Sequence, residues 1–192
     1  MTTKQRAANL KLIAEGSVSI ECKYSIPAEL STGQCIIESG WLAKAPANNC
    51  FGLKSPKGAA VYQTLATKEL LTNAQIEAEK NRGKNIISVG LLINGKRTVV
   101  IEDRFQVFNS IEECFHAYAL LLIRGRYFKT RFQRYLIHRD IERLLTDMSG
   151  ADNQPPYFTG AGYIDLWRRI TTQKNVIDAI AAARGDDERI IT

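Results

Sequence analysis

The chain has 192 residues, 45% of them hydrophobic and 24% charged, with 26 lysines and arginines against 20 aspartates and glutamates and a net charge of +6. It is too apolar for a disordered chain, carries no periodic glycine or proline of a fibre, and is long enough for one domain with a sizeable core. Its longest unbroken apolar run, Ala117 to Ile123, is seven residues. A membrane-spanning helix needs about 20, so no membrane insertion is expected.

Residues 1–16 carry early positive charge but interrupt each apolar stretch with Lys, Glu or Gly, and so lack the apolar region of a secretory signal. Leu10, Ile13, Ala14 and Val18 recur at helical spacing and predict an amphipathic helix over 3–23. A second helix is predicted over 27–40, opened by Pro27, whose ring is pre-set for the first helical turn. Gln34, Glu38 and Trp41 fall at i, i+4 and i+7 along it, which places them on one face. Residues 41–58 are rich in Pro, Asn and Gly and read as an irregular loop.

Residues 59–67 form a β-branched and aromatic run that reads as a strand, followed by a polar helical stretch over 70–84. Residues 86–93 and 96–101 flank Asn94-Gly95, a pair suited to the left-handed positions of a tight hairpin. The middle of the chain is therefore a small β lobe. Ser110 and Glu113 have capping-box spacing, and Ile111, Phe115, Ala119 and Leu122 then share the buried face of a core helix. Further helices are predicted over 127–148 and 164–183, with a Gly- and Pro-bearing loop between them and a frayed tail over 184–192. No repeat and no long linker interrupts the chain, so a single domain over 1–192, with its core over about 5–180, is expected.

Cys22, Cys35, Cys50 and Cys114 lie far apart without CxxC pairing, and His116 and His138 are the only histidines. Zinc spacing is absent, and reduced cysteines packed in a core are expected. Residues 124–143 hold Arg124, Arg126, Lys129, Arg131, Arg134, Arg139 and Arg143 against Asp140 and Glu142, so most of the net charge is one local excess. Tyr127, Phe128, Phe132 and Tyr135 are interleaved with it. The mixture fits phosphate neutralisation and stacking on nucleic acid, attraction to an anionic cell envelope, or an amphipathic helix with buried aromatics and solvated arginines. The last reading is preferred, and no nucleic acid is expected as a partner.

Residues 34–55 read QCIIESGWLAKAPANNCFGLKS. They resemble the signature of bacterial glucosaminidases, glycoside hydrolase family 73, in which a helix carrying Gln and then Glu-Ser-Gly-Trp precedes a loop ending in Asn-Asn-x-Phe-Gly-Ile-Lys. The matching residues are Gln34, Glu38, Ser39, Gly40, Trp41, Asn48, Asn49, Phe51, Gly52 and Lys54. Residues 104–122 are similar to the family's Phe-Arg-x-Tyr-x-Ser run and the helix after it. Tyr157 to Tyr163 keeps the spacing of its Tyr-Ala-Thr-Asp-Pro-x-Tyr, with Gly160-Ala161 in place of Asp-Pro. The resemblance implies a lysozyme-like α+β fold, mainly helical, with a small β-hairpin lobe beside the active-site cleft.

Cleaving a glycosidic bond needs a protonated carboxylic acid near the leaving oxygen, its pKa raised by burial or apolar neighbours. Glu38, at a helix end beside Trp41, suits that role, and the resemblance implies it. A second carboxylate serves as base for water or as nucleophile. The family carries it in a Thr-x-Glu-Tyr segment of the β lobe, which Thr67-Lys68-Glu69 matches just after the predicted strand, with Leu70 in the aromatic position. Another register aligns residues 91–100 with that segment and puts Leu91 at the acid. Glu102 and Asp103 are then the nearest carboxylates, Glu102 about four residues along the sheet from Leu91, roughly 13 Å. Glu69 is preferred over assistance by the substrate's own acetamido group. The resemblance places Tyr157 near the acid, positioning water or stabilising charge. It implies a substrate-binding set of Gln34, Trp41, Asn48, Asn49, Phe51, Lys54 and Tyr163, with packing the main duty of Tyr163 and part of that of Asn49 and Phe51.

The implied activity is hydrolysis of the peptidoglycan backbone after N-acetylglucosamine, with no metal and no organic cofactor. Lytic transglycosylase and muramidase chemistry on the same polymer are the enzymatic alternatives, and a non-catalytic wall- or polyanion-binding protein is the third. Synthesis in the cytoplasm without a signal peptide is expected, followed by release or non-classical delivery to the wall or periplasm. That route fits a phage lysin, or an effector whose partners include an immunity protein or delivery machinery; a chain trimmed of its leader is the third alternative.

Overall fold

Apolar residues recur at helical spacing before residue 52 and after residue 107, with β-branched runs between, and the computed structural model follows that division. It describes residues 1–56, 58–158, 160 and 162–185. The elements run α1 (Thr3–Tyr24), α2 (Ala28–Ser39), a 3-10 turn (Pro46–Asn48), β1 (Gln63–Leu71), α3 (Asn73–Asn81), β2 (Asn85–Ile93) and β3 (Lys96–Phe105). There follow α4 (Ile111–Arg124), α5 (Lys129–His138), α6 (Ile141–Thr146), a π-helical turn (Asp147–Ala151), α7 (Tyr163–Thr171) and α8 (Lys174–Arg184). The fold is α+β, helical in one unit (residues 1–51 and 108 onward) and mixed in the other (52–107).

In the helical unit, α1 buries Leu10, Ile13, Ala14 and Val18, the stripe its spacing predicts. It packs against α2, α4 and α8, and α2 packs against α7. Two glycines allow close approaches of α1 to α4 and of α2 to α7. A Cβ on Gly16 would lie 2.6 Å from Phe115 Cδ2 of α4, and one on Gly33 would lie 2.9 Å from Thr171 Cγ2 and closer still to the Trp167 indole of α7. Ser110 caps α4 by accepting from Glu113 N at 3.1 Å, while the Glu113 carboxylate turns to Asn109 N, so the expected capping box is half formed. Pro27 sits just before α2 as its cap rather than inside its first turn.

The two long helices predicted near the C-terminus are each broken. The chain over 127–148 reverses at Arg139, whose φ is 56°, and restarts at Asp140, which caps α6 by accepting from Arg143 N at 2.9 Å. The stretch over 164–183 stops at Thr171 and Thr172, whose hydroxyls donate back to the carbonyls of Trp167 and Arg168, a competition that ends helices. The tail is anchored one residue further than expected. Arg184 closes α8 on Glu21 and Glu29, at 2.7 and 2.9 Å, and residues 186–192 lie outside the described residues. Among the described residues no helix is long and apolar enough to cross a membrane.

In the basic segment Arg124, Arg126, Lys129, Arg139 and Arg143 are exposed, as the amphipathic reading expects, and two arginines depart from it. Arg131 is 1% exposed and grips Asp152 through Nε and Nη2, at 2.7 and 2.5 Å, and Arg134 pairs with Asp147. Phe132 and Tyr135 are buried as the amphipathic reading requires. Of the four cysteines, Cys35, Cys50 and Cys114 are buried, whereas Cys22 is exposed on α1 and departs from the expected core placement.

In the mixed unit the sheet order is β1-β3-β2, antiparallel throughout. β1 begins four residues later than its composition predicts, because its partner fixes its ends: Gln63 faces Phe105 and Leu71 faces Arg97. Leu70 and Leu71 thus belong to β1, and α3 starts after Thr72, which forms a full capping box with Gln75. Asn94 and Gly95 both have positive φ, the turn their sequence predicts. Ile76 of α3 covers one sheet face at Val99 and Ile101.

Candidate active site

The Glu-Ser-Gly-Trp segment is a helix end. α2 stops at Ser39, and Gly40, Trp41 and Leu42 follow with φ of 57°, 64° and 63°. Only glycine adopts that region freely, and a residue with a side chain costs about 1–2 kcal/mol there. The buried Ser39 holds the turn: its hydroxyl donates to Cys35 O at 2.6 Å and accepts from Leu42 N at 2.9 Å, and its carbonyl accepts from Lys44 N at 2.8 Å. Trp41 therefore leaves the helical face that i+7 spacing predicts. Its carbonyl accepts from Asn9 Nδ2 at 2.7 Å and its ring lies 3.7 Å from the Arg6 guanidinium, both on α1.

Gln34 and Glu38, one turn apart on α2, do share a face, and tyrosines from other parts of the helical unit meet it. Tyr163, the first residue of α7, donates its hydroxyl to Glu38 Oε1 at 3.0 Å. Tyr118 of α4, fully buried, donates to Gln34 Oε1. Tyr157 donates to the Phe51 carbonyl at 3.2 Å, and the Phe51 ring stacks on Tyr118 at 4.1 Å. The hydroxyl on the glutamate is thus that of Tyr163, the residue expected mainly to pack, and not that of Tyr157. Tyr118 was not legible as a site residue. The available signal was a phenol on the buried face of α4, which must find a partner.

Glu38 is exposed to solvent. The protein around its carboxyl still strips enough hydration to push its pKa above the ordinary value, opposed by the Tyr163 hydrogen bond. Burial, reinforced by the neighbouring Glu38 charge, pushes the phenols of Tyr118, Tyr157 and Tyr163 upward, so they remain hydrogen-bond donors. A carboxyl biased toward its protonated form, with one oxygen fixed by Tyr163, has the chemistry of a general acid.

The remaining residues of the sequence-predicted set divide between architecture and the second unit. Asn48, with φ of 59°, donates to Phe108 O at 2.9 Å and helps tie the loop to the start of α4. Asn49 is buried with its Oδ1 4.0 Å from Cys114 Sγ, and Cys114 lies 3.5 Å from Cys50 Sγ. Phe51 is a core residue stacked on Tyr118, edge-on to Phe115.

In the mixed unit, Glu69 lies inside β1 rather than after it, opposite Val99. It lines a cavity of about 170 Å³ with Lys54, Thr67, Glu79, Lys84 and Asp103. Lys54 and Lys84 both pair with Asp103; their hydrogen bonds and charge outweigh burial and hold that carboxyl below its ordinary pKa. Glu102 accepts from Asn85 Nδ2 at 2.6 Å. Two irregularities in β2 also change the count along the sheet: Glu102 faces Asn85, six residues from Leu91 instead of the four that an unbroken hairpin predicts.

The helical unit and its glutamate can now be set beside known proteins. A family model described as mannosyl-glycoprotein endo-beta-N-acetylglucosaminidase matches residues 15–173. No curated protein matches the chain. Among solved structures, it is similar to a peptidoglycan hydrolase mutant from Sphingomonas sp. A1, at 17% identity and TM-score 0.61, covering 92% of this chain and 99% of that one. It is also similar to the catalytic domain of the autolysin Auto from Listeria monocytogenes, at 17% identity and TM-score 0.61, covering 93% and 89%. A truncated glycoside hydrolase domain of Salmonella typhimurium FlgJ aligns at 19% identity and TM-score 0.57, covering 88% and 96%. The structures carry the lysozyme-like fold, and the family match, spanning most of the sequence, makes the chain a member of the glucosaminidase family of glycoside hydrolases.

Proposed function

We propose that this chain cleaves the glycan backbone of peptidoglycan after N-acetylglucosamine, with Glu38 as the general acid. The observation that carries the reading is the Glu38 carboxyl itself: exposed to solvent, held at Oε1 by Tyr163, and pushed upward in pKa by lost hydration. Such a group keeps a proton at a pH where a free carboxylate has lost it, and delivers it to the leaving oxygen. The solved relatives named for peptidoglycan hydrolysis support the polymer. Glu69 is the second carboxylate of this reading, activating water, and participation of the acetamido group is the route if it is not.

The test is digestion of purified peptidoglycan, followed by borohydride reduction and mass spectrometry of the new ends. Reduced N-acetylglucosamine is expected; reduced N-acetylmuramic acid would make the enzyme a muramidase, and anhydro ends a transglycosylase. Glu38→Gln is expected to lower kcat by about 10²–10⁴-fold, the usual share of a general acid. Full activity in Glu69→Gln would remove Glu69 from the mechanism and leave substrate assistance.

A further inference from the structure

The amide of Gln34 is completely buried, and its Oε1 is taken by Tyr118. Its Nε2 is buried too, yet has no hydrogen-bond partner among the described residues. Buried amide donors are rarely left unpaired, so this group points to a bond that the working enzyme completes. Gln34 lies one turn before Glu38 on α2, on the face that Tyr163 of α7 meets, where a bond from its amide would oppose the burial that pushes the Tyr163 phenol upward. That phenol donates to Glu38.

We propose that Gln34 is a positioning residue for the acid: with Oε1 anchored by Tyr118, its Nε2–H donates to Tyr163 Oη and turns the Tyr163 hydroxyl proton toward Glu38 Oε1. The inference rests on Glu38 being the general acid. Its chemical consequence follows from acceptor strength. The carbonyl oxygen of a carboxylic acid is its stronger acceptor, so the Tyr163 bond to Oε1 favours the transferable proton on Oε2, away from the tyrosine. The same chain of donors makes Tyr163 a stronger donor and moderates the rise that lost hydration gives Glu38. The orientation of the amide sets the sign. With its oxygen and nitrogen exchanged, Gln34 would accept from Tyr163, drawing the hydroxyl away from Glu38.

The test uses the full chain on purified peptidoglycan, reading the pH dependence of kcat and a thermal melt for the parent, Gln34→Met, Tyr163→Phe and the double variant. Tyr163→Phe is expected to move the alkaline limb upward by about one pH unit. Gln34→Met is expected to move it the same way by about a third of a unit, with kcat lowered about tenfold because the acid is less well held. In the Tyr163→Phe background Gln34→Met should add no further shift. A downward shift, no shift, or an equal shift in that background overturns the proposal. If Gln34→Met does not fold, Tyr118→Phe reads the same chain through one hydroxyl; a smaller upward shift is expected, and an unchanged profile overturns it. If Glu38→Gln keeps its activity, the general-acid reading fails separately. Carbon-13 titration of the Glu38 carboxyl then still tests the bond, since its pKa must rise in Gln34→Met.

Discussion

Gly33→Ala should weaken the fold and the site together. Gly33 lies where α2 meets α7, and a methyl there would sit 2.9 Å from Thr171 Cγ2 and closer still to the Trp167 indole, where ordinary contact begins at 3.4 Å. The indole is rigid and pinned by its Nε1, which donates to Glu29 O at 3.2 Å, so the helices must part rather than the ring swing aside. Overpacking of this kind costs about 1–3 kcal/mol, and the better helix propensity of alanine returns up to about 1 kcal/mol. Contacts this short put the cost at the upper end, so the net loss is about 1–2 kcal/mol, which for a chain of this size lowers Tm by about 2–8 °C. Tyr163 lies one turn before Trp167 on the same helix, so moving α7 outward by about 1 Å stretches its 3.0 Å bond to Glu38. A misplacement of that size costs kcat about tenfold or more. Calorimetry and peptidoglycan turnover, measured at least 20 °C below the melt, report the two effects separately. An unchanged or raised Tm would refute the close approach of α2 and α7, and a lowered Tm with full kcat would refute its link to the glutamate.

Three further outcomes follow from other parts of the helical unit. Because the Glu38 pKa is raised above its ordinary 4.5, the folded chain holds that proton more tightly than the unfolded one. The resulting stability is full below pH 4.5 and lost as pH rises through the folded value, so Glu38→Gln should raise Tm at pH 8 relative to the parent more than at pH 4. A uniform change across that range would contradict the shift. Asp152 is held below its ordinary 3.8 by its hydrogen bond to Arg131, so its contribution is present above pH 3.8 and fades in acid. Asp152→Asn leaves the Arg131 guanidinium, 1% exposed, without its counter-charge, at a cost of about 3–5 kcal/mol and about 10 °C in Tm. A loss under 2 °C would mean that water reaches Arg131. Finally, a thiol reagent should label Cys22 at once and Cys35, Cys50 and Cys114 only on unfolding, and labelling of Cys50 in the native protein would show that the loop beside Phe51 opens.

Elements governed by local rules were readable in the residues. The stripe of α1, the Asn94-Gly95 hairpin and the Ser110 cap depend on spacing and turn chemistry within a few positions, and each is found. Elements governed by partners were not. The Arg139 reversal carries neither Pro nor Gly, and its stop is set by the Asp140 cap and the packing beyond it. The ends of β1 come from β3, and the irregularities in β2 come from pairing that alternation alone does not encode. Trp41 shows how periodicity overreaches: i+7 holds only while the helix lasts, and Gly40 ends it.

The same division separates the residues that build the site from those that tune it. Most conspicuous letters of the segment over 34–55 are conformational. Ser39 and Gly40 make the left-handed turn, Asn48 ties the loop to Phe108, and Phe51 packs on Tyr118. These shapes depend on neighbours in sequence, which is why they form a compact motif. The groups that act on the Glu38 carboxyl come instead from α7, and those that act on Gln34 from α4, 125 and 84 positions away in the chain. A phenol at such a distance leaves no local pattern, since any helix that brings a hydroxyl to the same point serves equally well. Reading the motif therefore locates Glu38, whereas the state of its carboxyl depends on tertiary contacts that no spacing rule contains.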